Sequence, residues 1–300
     1  MAGRLAGARH RRAAGMSAPR VSVILPAYNR ADLVGRAIDS VLAQTWRDLE
    51  LIVVDDCSTD DTRAALERYR DTPRVRLVFS DTNRGGSGAR NLGIAHATGA
   101  LIAFQDSDDI WLPHKLAAQV AALDGKPEAG LCYCGALHSA GNKSFYIPEP
   151  VFDRLEGDMS DEILRRNTTS TQTLLIRRAV LDQAGHFTED LKRYQDWDLM
   201  IRVAQVTEFA FLPDPMVVIC DTPGNISSVV LNDAICRAAI LKRYPQHFAR
   251  RPDLAARNHY IAGRILMKLG DKSAARQHLR AAFRLRPGAR FGLALGRALI

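Results

Sequence analysis

In FQDSDDIW, residues 104–111, three carboxylates fall within four positions directly behind an apolar run, ALIAF. Asp106, Asp108 and Asp109 repel one another there, which costs stability unless something cationic sits among them. In extended backbone, positions i and i+2 point the same way, so Asp106 and Asp108 can face one ion while Asp109 turns to a neighbour. All-oxygen ligation suits Mg²⁺ or Mn²⁺, which keep open positions for water and substrate phosphates. With no His or Cys nearby, a structural zinc site is disfavoured. The competing reading is a solvated acidic turn or a helix cap.

Three further stretches carry polar chemistry. In VVDDCSTDDT (53–62), Ser58, Asp60 or Asp61 can cap the following helix, which leaves Asp55 and Asp56. A carboxylate at a strand end accepts hydrogen bonds from a base N–H or a ribose hydroxyl. NRGGSGARN (83–91) can seat a phosphate on backbone N–H groups at a helix start, with Arg84 and Arg90 adding positive charge. It is not G-x-x-x-x-G-K-[ST], and Asn91 stands where G-x-G-x-x-G needs its third glycine. In YQDWDL (194–199), Asp196 and Asp198 sit among aromatics, where desolvation raises a carboxylate towards general-base range. A helix cap is the alternative role for Asp196.

The elements that must position these residues are legible in the apolar periodicity. VSVIL (21–25), LIVV (51–54), VRLVF (75–79) and LIAF (101–104) read as strands. Helical spacing covers Ala31–Gln44, then Ala64–Tyr69, then Ala89–Ala97. Such alternation implies right-handed crossovers and an α/β fold with a mostly parallel sheet, whose ligands bind beyond the carboxyl ends of the strands. The loops PAYN, DDCSTDD, NRGG and QDSDD occupy those ends. After residue 125 the pattern loosens. GLCYCGA (130–136) and STQTLLIRR (170–178) read as strands, AVLDQAGHF (179–187) as a short helix ended by Gly185, and RYQDWDLMIRVAQV (193–206) as a helix. FAFLPDPMVVIC (209–220) reads as a strand pair interrupted by prolines. From Asn232 the chain reads helical, with breaks near Pro245, Pro252, Gly270 and Pro287. A helical hairpin turning at Gly270-Asp271 is similar to one tetratricopeptide-type unit, which serves as a cap rather than a solenoid.

Composition excludes several classes. With 47% hydrophobic and 25% charged residues, neither a disordered chain nor a fibre is expected. No apolar run approaches the roughly 20 residues of a membrane-spanning helix. The first twenty residues carry five arginines and no acid, lack an apolar segment, and read as a disordered tail rather than a secretory signal; Met16 is a second candidate start. Five cysteines without an export signal read as free thiols in a reducing, cytoplasmic compartment. The net charge of +8 splits into +5 for residues 1–20, +12 for 233–300 and −9 for the body between. An acidic body argues against nucleic acid as a partner, whereas the basic C-terminal region allows peripheral contact with the cytoplasmic membrane face. A solvated helical face is the plainer reading of that charge.

The order of the motifs is more specific than any one of them. SVILPAYNRADLVGRAIDSVLAQTWRDLELIVVDDCSTDDT, then NRGGSGARNLGIAHATGALIAFQDSDDIW, then GHFTEDLKRYQDWDL resembles the family 2 glycosyltransferases with the GT-A fold, over about Val21 to Ser228. The resemblance implies an inverting, metal-dependent enzyme using a nucleotide diphosphate-sugar donor and a glycan or lipid-linked acceptor. By position, Pro26, Ala27 and Tyr28 line the nucleoside pocket, Asp56 reads the base with Asp55 in support, and Arg90 approaches the nucleotide. Asp106 and Asp108 match the D-x-D motif that holds Mn²⁺ or Mg²⁺ against the diphosphate, and Asp196 matches the general base. Gln195 replaces the usual Glu before that base, and Thr222 stands where many members carry a His before Pro-Gly, so a third metal ligand is not assigned. The implied organisation is a basic tail (1–20), a GT-A domain (21–231) and a helical extension (232–300). The nucleotide-sugar half of that domain is about 21–125 and the acceptor half about 126–231. Two other classes remain. A metal-dependent phosphohydrolase needs an early aspartate nucleophile and usually D-x-D-x-T, and a catalytically inactive nucleotide-binding module leaves QDWDL without a role.

Overall fold

The first strands are buried on both faces, and their side chains alternate between two cores. In β1 (Val21–Ala27), Val21, Val23 and Leu25 enter one core and Ile24 the other. In β4 (Leu101–Phe104), Leu101 and Ala103 take the first side, Ile102 and Phe104 the second. Near-continuous apolar runs are what such doubly covered strands require. The computed structural model describes residues 19–140, 143–148, 153–222 and 230–299. Apart from Pro19 and Arg20, the basic N-terminal tail therefore lies outside the described residues.

Between β1 and β4 the chain forms α1 (Val34–Leu42), β2 (Leu49–Asp55), α2 (Thr62–Glu67), β3 (Val75–Phe79) and α3 (Gly85–His96). The strands pair in parallel in the order β3-β2-β1-β4. Helix α3 lies flush against the sheet because position 93 has no side chain: a Cβ there would stand 2.4 Å from Cγ2 of Ile24. This register aligns the carboxyl ends, with Ala27 opposite Asp55 and Ile24 opposite Phe104.

The second half adds β5 (Ile110–Trp111), α4 (Lys115–Gly125), β6 (Ala129–Ala140), β7 (Lys143–Ile147), α5 (Glu162–Arg165) and a 3₁₀ turn (Thr171–Thr173). It continues with β8 (Leu174–Arg177), α6 (Arg178–Ala184), α7 (Gln195–Val203) and β9 (Glu208–Cys220). The sheet extends as β4-β8-β6-β9-β5, with β8 antiparallel to β4 and β6, β9 parallel to β6, and β5 antiparallel to β9. The expected strand pair at 209–220 is one strand with a bulge. Its register jumps from Cys134↔Leu212 to Gly135↔Pro215, since the prolines cannot donate to the ladder. Helix α6 ends at Gly185, whose φ of 81° suits glycine. Cys132 and Cys134 are buried in β6, and all five cysteines are free thiols.

Five helices close the chain: α8 (Val230–Arg243), α9 (Pro245–Arg250), α10 (Pro252–Lys268), α11 (Lys272–Leu285) and α12 (Ala289–Leu299). Pro245 and Pro252 open α9 and α10, where a missing N–H costs nothing. Asp271 caps α11 by accepting the Ala274 N–H at 2.9 Å, which makes the expected hairpin. Cys236, Ile240, Tyr244, Phe248 and Leu254 pack in the same core as Phe104 and Trp197, so α8–α10 are built into the sheet's core. Small separate cores join α10 to α11 and α12.

Candidate active site

The acidic turn after β4 is braced from behind by Asp109. This side chain is buried, accepting the Cys220 N–H at 2.9 Å and the Gln172 amide at 2.7 Å, while its carbonyl accepts the Gln105 amide at 2.8 Å. Burial, then the Asp106 charge, push its carboxyl up to about 8. Behind it, the Trp111 indole donates to the Gln172 carbonyl at 2.9 Å and its ring covers Nζ of Lys115 at 3.8 Å. Lys115 is fully enclosed, bonded to Gln119 at 2.8 Å, and burial brings it down to about 8.

Asp106 and Asp108 face the other way and keep some exposure, 27% and 15%. Asp106 pairs with Arg90, whose guanidinium lies 5.6 Å from the Phe187 ring. Asp108 accepts the Thr222 hydroxyl at 2.7 Å, has Arg30 Nε at 3.8 Å, and its carbonyl accepts Arg36 at 2.8 Å. Thr222, at the position where a His was expected, thus touches one of the two carboxylates; residues 223–229 lie outside the described residues.

The end of β2 holds the second acidic pair. Asp55 is fully buried, with Oδ2 3.3 Å from Arg63 and Oδ1 enclosed without a partner. Asp56 donates its N–H to the Ala27 carbonyl at 2.8 Å and accepts the Arg84 N–H at 2.8 Å. Burial raises its pKa against the lowering effect of the Arg84 and Gly85 N–H groups. The PAYN loop is laced to the same region. Asn29, at φ 51°, donates to Ser58 at 3.0 Å and accepts the Thr59 N–H at 2.9 Å, and the Arg30 N–H reaches Thr62 at 2.7 Å. Asp60 is the residue that turns back to Thr62, at 2.9 Å. Pro26 and Ala27 are thereby fixed beside Asp55, and Tyr28 is left 44% exposed at the rim.

The two aspartates of QDWDL part company. Asp196, in the first turn of α7, accepts the Asn167 amide at 2.7 Å and the Trp197 N–H at 2.9 Å. Burial raises its pKa; Trp197, Arg90 and Asn167 lower it, and Asp106 raises it further. Asp106, Arg90 and Asp196 therefore share one electrostatic neighbourhood. Asp198, about 200° round the helix, is fully buried and accepts from Thr188 at 2.6 Å, Tyr244 at 2.7 Å, and Arg202 and Arg243 at 3.0 Å each. Burial alone would raise it, but these donors hold it below the usual carboxylate range. It joins α7 to α8 and takes no part in the cleft.

The donor set bears on the choice of ion. Among the described residues no group of three or more His, Cys, Asp or Glu could hold a metal. Asp109 commits both oxygens to the turn, which leaves Asp106 and Asp108 as the open carboxylates. Two hard oxygen ligands fit Mg²⁺ or Mn²⁺, whose remaining positions go to water and phosphate oxygens. Asn167, Gln172, Arg30 and Arg36 had no signal in the sequence, because each meets the site from a segment remote in the chain.

The family model described as Glycosyl transferase family 2 matches residues 22–186. A glycosyltransferase of Nostoc sp. is 33% identical over 184 residues, 59% of this chain and 56% of the relative. The Escherichia coli UDP-Glc:alpha-D-GlcNAc-diphosphoundecaprenol beta-1,3-glucosyltransferase WfgD is 42% identical over 103 residues, 34% of this chain and 40% of the relative. The chain spans little more than half the length of the first curated relatives it matches. Among solved structures, a mannosyltransferase of Pyrobaculum calidifontis in complex with GDP-Man and Mn²⁺ aligns with a TM-score of 0.62 at 24% identity, covering 94% of this chain and 81% of that one. The likeness shows a GT-A fold with added C-terminal helices.

Proposed function

The chain belongs to glycosyl transferase family 2, and from that premise we propose that it transfers a sugar, with inversion, from a nucleotide diphosphate-sugar to a hydroxyl of a glycan or lipid-linked acceptor. The observation that carries this reading is the Asp106–Arg90 ion pair just past the carboxyl end of β4, at the same sheet edge as Asp55 and Asp56, with both its charges acting on the Asp196 carboxyl. The Mn²⁺ complex of the mannosyltransferase and the lipid-diphosphate acceptor in the name of WfgD support the donor and acceptor classes.

In this reading Pro26, Ala27 and Tyr28 flank the nucleoside, and Asp56 accepts from its base with the fully buried Asp55 in support. Arg90, already the counter-ion of Asp106, bears on the nucleotide. Asp106 and Asp108 hold the divalent ion, which when bound neutralises charge on the departing diphosphate. Asp196, raised by burial and steadied by Asn167, accepts the acceptor hydroxyl's proton as that oxygen attacks the anomeric carbon. One displacement from the opposite face inverts the configuration, and no covalent enzyme intermediate forms. The diphosphoundecaprenol-linked acceptor in the name of WfgD supports an envelope glycan as the product.

The test is a product assay with nucleotide diphosphate-sugars and Mn²⁺, the anomeric configuration read by NMR. Asp196→Asn is expected to lose about 10²-fold or more in turnover. Normal turnover by Asp196→Asn removes the base assignment, and turnover of a generic phosphate ester without sugar transfer supports a phosphohydrolase instead.

A further inference from the structure

Helices α10, α11 and α12 enclose a cleft that the transfer chemistry does not use. Arg264, Arg290 and Arg297 stand around about 280 Å³ of space, with Met267, Leu279 and Leu293 as its apolar lining. Two of the cations converge on one ring: Arg264 donates to the Tyr260 hydroxyl at 3.1 Å, and Arg290 lies 4.7 Å from the Tyr260 ring centre. Phe291 fixes that ring edge-on at 5.3 Å. Among the described residues, none of the three arginines pairs with a carboxylate within 4.0 Å. Three like charges around one cleft repel, and an anion between them relieves the repulsion.

One apolar side chain of the lining stands largely in water: Leu293 is 67% exposed. On α12, Arg290, Leu293 and Arg297 fall at helical spacing on one face, so cation and hydrocarbon are presented together. A free phosphate would answer the arginines and leave Leu293 in water. An anionic amphiphile answers both, with arginine stems lying along its chain. Charge complementarity orients the contact: residues 233–300 carry fifteen Lys/Arg and three Asp/Glu, whereas the body from 21 to 232 is net acidic and is repelled by an anionic surface. Among the described residues no helix is long and apolar enough to cross a membrane, so the contact is one of surface docking.

We infer that this cleft seats the phosphate head and first carbons of an anionic phospholipid, and that α12 thereby docks the protein on an anionic bilayer. The inference is independent of the transfer reading, since either can fail alone.

Co-sedimentation of the full chain with vesicles tests it, using phosphatidylcholine alone and phosphatidylcholine with about a third phosphatidylglycerol. Binding is expected to the mixed vesicles and not to phosphatidylcholine alone. The triple change Arg264→Gln, Arg290→Gln and Arg297→Gln is expected to weaken it at least ~10-fold. Lys268→Gln, Arg280→Gln and Arg284→Gln remove the same charge outside the cleft and are expected to cost no more than about threefold. Leu293→Asp, at an exposed position, repeats the test should the cleft triple unfold, and is expected to weaken binding at least ~10-fold as well. Equal losses in the two triples overturn the inference, as does full binding by either the cleft triple or Leu293→Asp. Equal binding to phosphatidylcholine overturns it too, and displacement by millimolar inorganic phosphate makes the cleft a small-anion site instead.

Discussion

Asp198→Asn should destabilise this protein without harming its chemistry, while Asp196→Asn should do the reverse. The carboxylate of Asp198 accepts four hydrogen bonds, two of them from the guanidiniums of Arg202 and Arg243. Bonds to charged partners are worth about 1.5–3 kcal/mol each and neutral ones about 1 kcal/mol. These values do not add, because Arg202 and Arg243 are 21% and 29% exposed and rehydrate once released. An asparagine keeps one acceptor oxygen and turns an NH₂ towards donors. The net cost is about 3 kcal/mol, the lower end for breaking a buried ion pair, or a fall in Tm of about 5 °C. Asp196 carries the opposite sign. Burial raises its carboxyl above the usual range, so the ionised form strains the fold, and neutralising it leaves Tm unchanged or slightly raised. Urea denaturation of both variants, with donor turnover measured well below Tm, separates the two effects. The reasoning is refuted if Asp198→Asn melts like the wild type, or if Asp196→Asn turns over normally.

Three other outcomes follow from single contacts. Thr222→Val removes the hydroxyl bonded to Asp108 and should raise the Mn²⁺ concentration for half-maximal turnover about tenfold, with kcat little changed; a metal titration reads this. Gly93→Ala drives a Cβ into Ile24 and should cost about 1–3 kcal/mol in urea unfolding. The Nδ1 atoms of His259 and His278 meet at 3.0 Å, and burial, then His278, hold His259 down to about 4. Because the unfolded chain takes up that proton near 6.5 and the folded one resists it, stability should be lost as pH falls from about 6.5 towards about 4. The slope is at most about 1.4 kcal/mol per pH unit, and His259→Asn should flatten the urea midpoint over that range.

Local signals carried the N-terminal half of the fold. Doubly buried strands read as unbroken apolar runs, and the acidic or glycine-rich loops behind them mark the carboxyl edge of the sheet, where Asp55, Asp56 and Asp106 are found. What the sequence could not carry depends on distant partners. Asp196 and Asp198 are equivalent in QDWDL until Arg243, at the end of α8, and Tyr244, just beyond it, claim one and Asn167 the other. Asp109 is distinguished from its neighbours by Gln172 and the Cys220 N–H, 63 and 111 residues away. The bulge in β9 was disguised as a break, because prolines signal lost pairing without saying whether the strand resumes on the same partner.

The central claim is that Asp106 and Asp108 hold a divalent ion against a nucleoside diphosphate, and a thermal-shift panel tests it most directly. Nucleoside diphosphates are added with and without Mn²⁺ to the wild type and to Asp108→Ala. Ligand at ~100 times its Kd stabilises the folded state by about 2.7 kcal/mol. The expected result is a rise of several degrees only when nucleotide and metal are both present, lost in Asp108→Ala. An equal rise without metal, or an undiminished rise in Asp108→Ala, would contradict it.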